Sequence, residues 1–347
     1  MDHQYEKNFM ITPDPIILVT FIGATNWGVG FLTTVAIFAI VALALNLQWG
    51  YTGIFNFGVV AFFMVGAYTS ALLTLPPPSK FESHILGLEL PILMGWFAGA
   101  LAGGLLALII GLPTLRLRRD FLAIATIGVA TIIRSIANTT EGFVNRGSGL
   151  NGIPRFLNDF TSASDYKWVL LVIMLVMLSA VYFGLQRVTA APWGRVLRAI
   201  RDNEDTAMAA GKHTVSFRMQ AFVLGGAIMG LAGALWAHRT GSISPTAFND
   251  LFGTFVIWTM VMVGGSGNNK GAIIGALVVG FFWFGTPLIQ EDLPDFLGTR
   301  VFQLRELTVG LLIVLFLLLQ PHGLIREKAQ VSRFITERKS INQQQIK

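Results

Sequence analysis

The stretch VGFLTTVAIFAIVALALNL, which is Val29–Leu47, determines the class of fold. It contains 19 consecutive residues without a charged side chain. An α-helix rises 1.5 Å per residue, so a stretch of this length crosses the hydrocarbon core of a bilayer, which is about 30 Å thick. Lipid offers no hydrogen-bond partner for the backbone of an open strand, and such a stretch must therefore be helical. The segment predicts a transmembrane helix.

Further apolar stretches follow along the chain, most of them of similar length, although Phe255–Val263 is short. They are Phe57–Leu75, Leu90–Leu112, Phe121–Ala137, Trp168–Leu185, Met219–Ala237, Phe255–Val263, Ala272–Phe284 and Leu304–Leu319. The glycines of Leu90–Leu112 favour close helix packing. The segment Gly264–Asn269 separates the stretches Phe255–Val263 and Ala272–Phe284. Such interruptions are common where the helices of a transporter break around a pathway. The ten residues Ile16–Thr25 form either an interfacial helix or an extension of the first span. The pattern predicts an all-α polytopic bundle of about 8–10 transmembrane segments with some interrupted helices.

The overall composition agrees with a membrane protein and excludes several kinds of site. Of 347 residues, 53% are hydrophobic and 13% are charged, and the mean hydropathy is +0.63; a soluble domain is about one quarter charged. There is no cysteine, which excludes disulfides, cysteine-bound metals and a thiol nucleophile. The five histidines lack metal-ligand spacing, so we expect no metal site. No sequence motif of a hydrolase is present, which argues against a membrane enzyme.

The distribution of basic residues predicts the orientation of the chain in the membrane. Of its 25 lysines and arginines, 15 lie in three segments that the order of spans places on one side. They are the turn at Arg116, the loop Arg187–Arg218 and the stretch after Pro321. Because cytoplasmic loops are enriched in Lys and Arg, we expect these segments and the C-terminus to be cytoplasmic.

The loop of residues 188–218 contains a short amphipathic segment. Apolar residues alternate there with charged ones at helical spacing, at Val196, Leu197, Ile200, Ala207 and Met208. The segment is too short and too polar to span a bilayer. We expect its apolar face to be covered either by a groove of a partner protein or by anionic lipid.

Several motifs resemble one family of transport proteins. The loop reads Gly194-Arg195 and then Leu197–Glu204, LRAIRDNE. Around it, in matching order, stand Gly50–Gly53, Asn56–Gly58, Gly66–Tyr68, Arg118–Thr126, Gly147–Pro154, Gly264–Gly267 and Gly271–Ala276. Over roughly residues 30 to 325, this combination is similar to the LivM-like permeases of branched-chain amino acid ABC importers.

The resemblance implies a division of labour among several chains. This chain would be a permease in the inner, plasma membrane of a bacterium. Its partners would be a second, LivH-like permease, two cytoplasmic ATPases and an external substrate-binding protein, with no nucleic acid involved. ATP and Mg would be bound by the ATPases, since this chain has no phosphate-binding loop and needs no cofactor of its own. Residues 29–320 would form the permease domain, 1–28 an N-terminal segment and 321–347 a cytoplasmic tail.

The resemblance also suggests site residues. The coupling loop would contact an ATPase through Arg195, Arg198, Arg201, Asp202, Asn203, Glu204, Ala207 and Gly211. Polar residues on the spans are candidates for the translocation pathway or, alternatively, for hydrogen bonds between helices. They are Asn46, Asn56, Tyr68, Thr69, Arg134, Thr254 and Thr259. Arg134 would either face the pathway or extend towards the membrane surface. Arg146 and Arg155, in the external loop, are candidates for docking the binding protein.

Two departures from the family pattern leave the transported solute open. The chain has Ala130 where many relatives have a glutamate, and Asn145-Arg146-Gly147 where they have Thr-Gly-Gly. The leading hypothesis is the import of neutral or branched-chain amino acids. The alternatives are an ABC permease for urea or a short amide and an ATPase-independent channel or secondary transporter.

Overall fold

A computed structural model describes residues 15–78, 84–117, 119–140, 144–157, 165–249, 251–290, 300–320 and 322–327. These residues form eleven α-helices. They are α1 Pro15–Leu45, α2 Val59–Thr74, α3 Ile92–Thr114, α4 Arg119–Thr139, α5 Tyr166–Ala190, α6 Pro192–Asp202, α7 Glu204–Ala209, α8 Thr214–Thr240, α9 Val256–Gly264, α10 Asn269–Gln290 and α11 Val301–Leu319. Two short strands, β1 Leu150–Asn151 and β2 Ser242–Ile243, pair antiparallel.

Six segments of the described residues are long and apolar enough to cross a membrane. They are Thr25–Tyr51, Ile92–Thr114, Phe121–Thr139, Tyr166–Ala190, Thr214–Thr240 and Asn269–Thr286, and two shorter apolar helices are Val59–Thr74 and Gly253–Gly264. Large apolar side chains on the outer helices face outwards, such as Phe97 at 72% exposure and Phe183 at 67%. The prediction of an all-α, multi-pass membrane protein is confirmed.

The undecided first stretch belongs to the first helix. Helix α1 runs unbroken from Pro15 through Leu45, so Ile16–Thr25 continues into the predicted span and is not a separate helix. The side chains of residues 15–24 lie outside the described part of the chain.

Helices α2, α3 and α8 are in backbone contact through glycine. A Cβ atom on Gly66 of α2 would lie 2.1 Å from the carbonyl oxygen of Gly230 in α8, and one on Gly103 of α3 would lie 2.4 Å from the carbonyl oxygen of Gly226. No larger residue fits at such distances. The glycines of the predicted span Leu90–Leu112 thus serve helix packing, as expected for small residues in membrane helices.

Two interruptions of helical structure lie side by side at one end of the bundle. The first follows α1, where a π-helical turn, Asn46–Tyr51, leads into an irregular segment before α2. The second separates α9 from α10, where Gly265 has a φ of 109°, a conformation that favours glycine. The backbone N–H of Gly267 donates to Asn46 Oδ1 at 2.8 Å and joins the two. The predicted interruption Gly264–Asn269 is confirmed.

The directions in which the helices run place the predicted cytoplasmic segments at the same end as these interruptions. Gly111, near the end of α3, lies against Met219 and Phe222 at the start of α8. Arg201 of α6 contacts Gly50 in the first interruption and Glu327 after α11. The turn after α3, the loop between α5 and α8 and residues 322–327 therefore share one surface. We call it the coupling end, and the other surface the far end.

Candidate functional site

The loop between α5 and α8 folds as two short helices because its sequence provides their ends. Pro192 stands at the start of α6, where its missing N–H is not needed. Asn203 separates α6 from α7 and caps α7, since its Oδ1 accepts a hydrogen bond from Thr206 N at 2.9 Å. Gly211, with a φ of 77°, follows α7. The predicted amphipathic segment is therefore the helix pair α6–α7.

The apolar face of α6–α7 is covered by the chain itself. Leu197, Ile200 and Ala207 are at most 5% exposed. The expectation that a partner's groove or lipid would cover this face is wrong, because α6 lies against the ends of α5 and α8. Met208, predicted to belong to that face, is instead 48% exposed.

The opposite face of α6–α7 is open. It presents the charged and polar side chains of Arg195, Asp202, Asn203 and Asp205, with Met208 beside them. Arg195 and Asp202 are seven residues apart and so lie on one side of α6. A second protein that docks here meets a polar surface with one apolar side chain.

Two predicted coupling residues hold the helix pair onto its own domain. Arg198 donates to the carbonyl oxygen of Thr189 at 3.4 Å, and its guanidinium lies over the ring of Tyr51 at 5.7 Å. Glu204 forms a salt bridge with the buried Arg218 of α8, with an Nη1–Oε1 distance of 3.2 Å. Both side chains therefore fix the position of α6–α7 through contacts with other parts of the same chain.

Arg201 connects three separate parts of the coupling end. Its guanidinium donates to the carbonyl oxygen of Gly50 and pairs with Asp202 at 3.1 Å and with Glu327 at 2.8 Å. Burial alone lowers the pKa of Arg201, but the hydrogen bonds and charges of Glu327 and Asp202 outweigh it and raise the pKa above its ordinary value. A raised arginine pKa keeps this charge, and the stability that it contributes, at every pH below the ordinary arginine range.

Residues 322–327 form part of the same cluster, which sequence reasoning missed. Leu324 N donates to Val263 O at 2.8 Å, and Ile325 N donates to Gly264 O at 2.9 Å. Asn268 Nδ2 donates to the carbonyl oxygen of Arg326 at 3.1 Å. This segment thus binds the second interruption and carries Glu327 to Arg201. No sequence signal indicates a partner so far away along the chain.

Buried amide side chains join the interruptions to the surrounding helices. Asn46 Nδ2 donates to Asn269 Oδ1 at 3.1 Å, and Asn269 Nδ2 donates to Gln186 Oε1 at 3.2 Å. Asn56 Nδ2 donates to Gln48 Oε1 at 2.7 Å, and Gln48 Nε2 donates to the carbonyl oxygen of Phe222 at 2.9 Å. For Asn46 and Asn56, candidates for the pathway, this geometry favours the alternative of hydrogen bonds between helices.

Three of the remaining polar candidates on the inner spans are buried inside the bundle. Thr259 is fully buried and donates to the carbonyl oxygen of Phe255, directly before α9, at 2.8 Å, whereas Thr254 accepts from Val60 N at 3.4 Å. Tyr68 packs beside Phe248 and lines an apolar cavity of about 170 Å³. Thr69 is partly exposed on α2. For Thr254, a candidate for the pathway, the bond to Val60 favours the alternative of a hydrogen bond between helices, whereas Thr259 bonds only to the preceding turn.

Arg134 lies in a polar recess instead. The recess has a volume of about 390 Å³ and lies towards the far end between α4 and the turn after β2. Its walls include Thr131, Ser135 and Asn138, which are exposed, while Arg134 Nη1 donates to the carbonyl oxygen of Phe248 at 3.4 Å. An ionisable residue such as Arg134 rarely faces lipid on a membrane helix, so we expect this side of α4 to face water or another protein.

The two arginines predicted to dock a binding protein are both exposed at the far end. Arg146 belongs to a short 3₁₀ turn, and Arg155 follows β1. The guanidinium of Arg155 lies over Gly241, where α8 ends. Arg118 and residues 328–347 lie outside the described residues, as do the side chains of Arg119 and Asp120. Among the described residues, no group of three or more His, Asp or Glu side chains is arranged to hold a metal ion.

Comparison with known proteins connects this architecture to a family. Residues 28–319 match the family model described as the permease component of a branched-chain amino acid transport system. A probable branched-chain amino acid transport permease protein LivM of Methanocaldococcus jannaschii is 30% identical over 84% of this chain and 91% of its own length. The high-affinity permease LivM of Escherichia coli is 30% identical over 86% of this chain and 69% of its own length. The LivH permease of that organism is 24% identical over 83% and 91%. No solved structure matches the chain.

Proposed function

Because the chain belongs to the family of permease components of branched-chain amino acid transport systems, we propose that it is a membrane subunit of an ABC importer that moves branched-chain or other neutral amino acids inwards. The main observation is the helix pair α6–α7, an open polar surface fixed by buried side chains at the basic end of the bundle. Such a surface suits a protein that is moved by another protein.

The open face of α6–α7 is the docking surface for a separate ATPase in this proposal. Its exposed charges, Arg195, Asp202 and Asp205, can form charge-assisted hydrogen bonds with a partner, and Met208 can fill a small apolar pocket. ATP and Mg²⁺ belong to that partner. The placement of the basic segments supports a cytoplasmic coupling end, with the C-terminus on that side.

A movement of α6 can be transmitted directly to the membrane helices. Arg201 connects α6 to the carbonyl oxygen of Gly50 and, through Glu327, to the segment bound to the second interruption. Short irregular segments between rigid helices are where packed helices rotate or shift with least cost. We expect a displacement of α6 to change the relative positions of α1, α9 and α10.

The solute pathway runs along the polar side of α4 in this proposal. An amino acid carries a carboxylate, and the guanidinium of Arg134 is the cation of the recess there. An open polar side of α4 also suits an interface with a second permease, and the likeness to both LivM and LivH supports such a pair. Arg146 and Arg155 are exposed at the far end, the side on which an external binding protein would dock in this proposal.

Reconstitution of the chain with its partners in liposomes tests the docking surface. We expect Met208→Glu and Arg195→Glu to lower both leucine uptake and permease-stimulated ATP hydrolysis about tenfold, because each puts a negative charge into the interface. Lys212→Gln, on an exposed residue after α7, is the control and should leave both rates unchanged. Unchanged rates in the two interface variants would show that the ATPase does not dock here.

The same vesicles test the alternatives for substrate and energy source. Unlabelled leucine should compete with labelled leucine, and urea should not. Arg134→Gln should raise the leucine concentration needed for half-maximal uptake about tenfold, since one charge-assisted hydrogen bond is lost. Uptake by the chain without any ATPase would contradict the proposed importer.

A further inference from the structure

A basic recess of about 350 Å³ opens at the far end, where α1, α5 and α8 meet. Three cationic side chains line it, from Arg155, Lys167 and Arg239. The remaining walls come from α1, at Asn26 to Thr33, and from Tyr166 and Leu170 of α5. The recess is separate from the polar side of α4 and from the coupling end.

The positive charge of this recess has no counter-ion in the described part of the chain. None of the three cations has a carboxylate within 4.0 Å there. Arg239 is partly buried, donates to the carbonyl oxygen of Gly30 at 3.1 Å and lies over the ring of Trp236 at 5.3 Å. A guanidinium withdrawn from water costs free energy unless an anion is near. The recess therefore favours a negatively charged ligand.

Tyr166 provides a second and independent indication of a ligand. Only 9% of this residue is exposed, and its hydroxyl is buried without a hydrogen-bond partner among the described residues. A buried hydroxyl is normally paired, because an unpaired one loses its hydrogen bonds to water without replacement. The hydroxyl lines the recess with the three cations, so an anion that enters it would accept a hydrogen bond.

The surroundings of the recess match the depth of lipid headgroups. Trp27 stacks on Phe31 beside the α1 wall, and Trp168, 55% exposed, stands two residues after Tyr166. Tryptophan is enriched where a membrane meets water. Further along α5, the exposed side chains of Val172 and Val176 continue as an apolar surface.

We propose that this recess binds the headgroup phosphate of an anionic phospholipid. Lys167, Arg155 and Arg239 neutralise the phosphate, Tyr166 Oη donates a hydrogen bond to it, and an acyl chain lies along the apolar face of α5. A slender headgroup reaches the recessed hydroxyl, whereas the surface of a protein would contact only the exposed Arg155 and Lys167. This is why the structure favours a lipid over the external binding protein.

Lipid binding to the purified full-length chain, with any subunits that copurify, tests the proposal. After delipidation, phosphatidylglycerol is titrated in detergent and bound lipid is counted by native mass spectrometry. Arg239→Gln and Lys167→Gln should each weaken binding about tenfold, and Tyr166→Phe about fivefold. Arg300→Gln removes a charge from an exposed residue at the same end and is the matched control with unchanged binding.

Further measurements identify the source of the anion. If Arg239→Gln does not fold, Lys167→Gln and Tyr166→Phe test the proposal. Lys167 is exposed, and Tyr166→Phe removes only one unpaired hydroxyl, so we expect both variants to fold. Inorganic phosphate that binds as tightly as phosphatidylglycerol would overturn the assignment to a lipid. Unchanged lipid binding in these variants would also overturn the assignment. The same holds if the variants lose affinity for the external binding protein and keep their affinity for the lipid. None of these measurements depends on transport.

Discussion

Buried polar side chains concentrate where the membrane helices are interrupted. Asn56 is the clearest example, because three of its polar groups are paired: Nδ2 with Gln48, Oδ1 with the backbone N–H of Gly58, and its carbonyl oxygen with Trp258 Nε1 at 2.9 Å. The last two pairs satisfy backbone groups, Gly58 N–H and the carbonyl oxygen of Asn56, that the missing helical turn leaves free. Asn56 therefore specifies the shape of the first interruption.

Asn56→Ala is expected to destabilise the protein by about 2 kcal/mol, because Gln48 Oε1 and Gly58 N lose their partners in a buried site. Thermal unfolding in detergent measures the effect. Gln303→Ala, on an exposed residue of α11, should leave the unfolding temperature unchanged. An equal effect of both variants would refute the assigned role of Asn56.

From the sequence, Asn46 and Asn56 are candidates either for the pathway or for hydrogen bonds between helices, and their role is left open. Asn46 and its partner Asn269 are separated by 223 positions. A buried amide between helices and an amide facing a pathway look alike in sequence. Only the fold distinguishes them, because it determines which residues lie opposite.

At the scale of the helices, glycine controls how closely α2, α3 and α8 approach. Gly230 has Gly99 O 2.4 Å from the position of an added Cβ, and Gly233 has Phe63 O at 1.8 Å. Backbone atoms cannot move away as the end of a side chain can. The contact between α8 and its two neighbours thus requires glycine.

Gly230→Ala should separate these helices and cost about 3 kcal/mol or the whole fold, as expected for overpacking. Gly310→Ala is a matched control, since Gly310 in α11 has no atom within 4 Å of an added Cβ. Expression level and unfolding temperature in detergent compare the two. Similar behaviour of the variants would show that α2, α3 and α8 are less closely packed.

Glu327 offers a test of the connection between α6 and the interruptions. The side chains of Arg201 and Glu327 are 24% and 28% exposed, so their salt bridge is partly shielded from water. Glu327→Gln should lower the stability of this contact by about 1 kcal/mol and reduce the amount of leucine imported per ATP hydrolysed.

Coupled uptake and ATP hydrolysis in proteoliposomes measure this ratio. Glu306→Gln removes an exposed carboxylate from α11 and serves as the control. An unchanged ratio for Glu327→Gln would mean that movement does not pass through Arg201.

The helices themselves were predicted from sequence more fully than their surroundings. Long uncharged stretches determine spans, and the alternation of charged and apolar residues correctly predicted helical structure around Arg195. The neighbour of the apolar face was predicted wrongly. Periodicity shows that Leu197 and Ile200 share a face, but not that the ends of α5 and α8 cover it.

At the scale of the whole molecule, the two ends differ in the side chains that they expose. The coupling end combines an open polar helix pair with the helix interruptions, whereas the far end carries Arg146, the recess near Arg134 and the basic recess near Arg239. Which end faces the cytoplasm is predicted from the order of spans and the basic residues alone, and it stays a prediction. The recesses were beyond prediction, since their walls come from distant helices.

Single-cysteine labelling tests this orientation, because the natural sequence has no cysteine. Arg300→Cys, at the far end, should react with a membrane-impermeant thiol reagent on intact cells. Lys212→Cys, at the coupling end, should react only after the membrane is permeabilised. The reverse pattern would invert the orientation, and reaction of both positions on intact cells would contradict the placement of the two ends on opposite sides of the membrane.

The contact between Arg201 and Glu327 also has a bearing on biosynthesis. The ribosome synthesises α6 well before residues 322–327. During translation, Arg201 therefore cannot pair with Glu327 until α11 has been completed. A nascent chain that ends prematurely after α11 would hold all the helices that the structure describes, yet lack the salt bridge of Glu327 to α6. Quality control that recognises a loose α6 would thereby distinguish finished permeases from truncated ones.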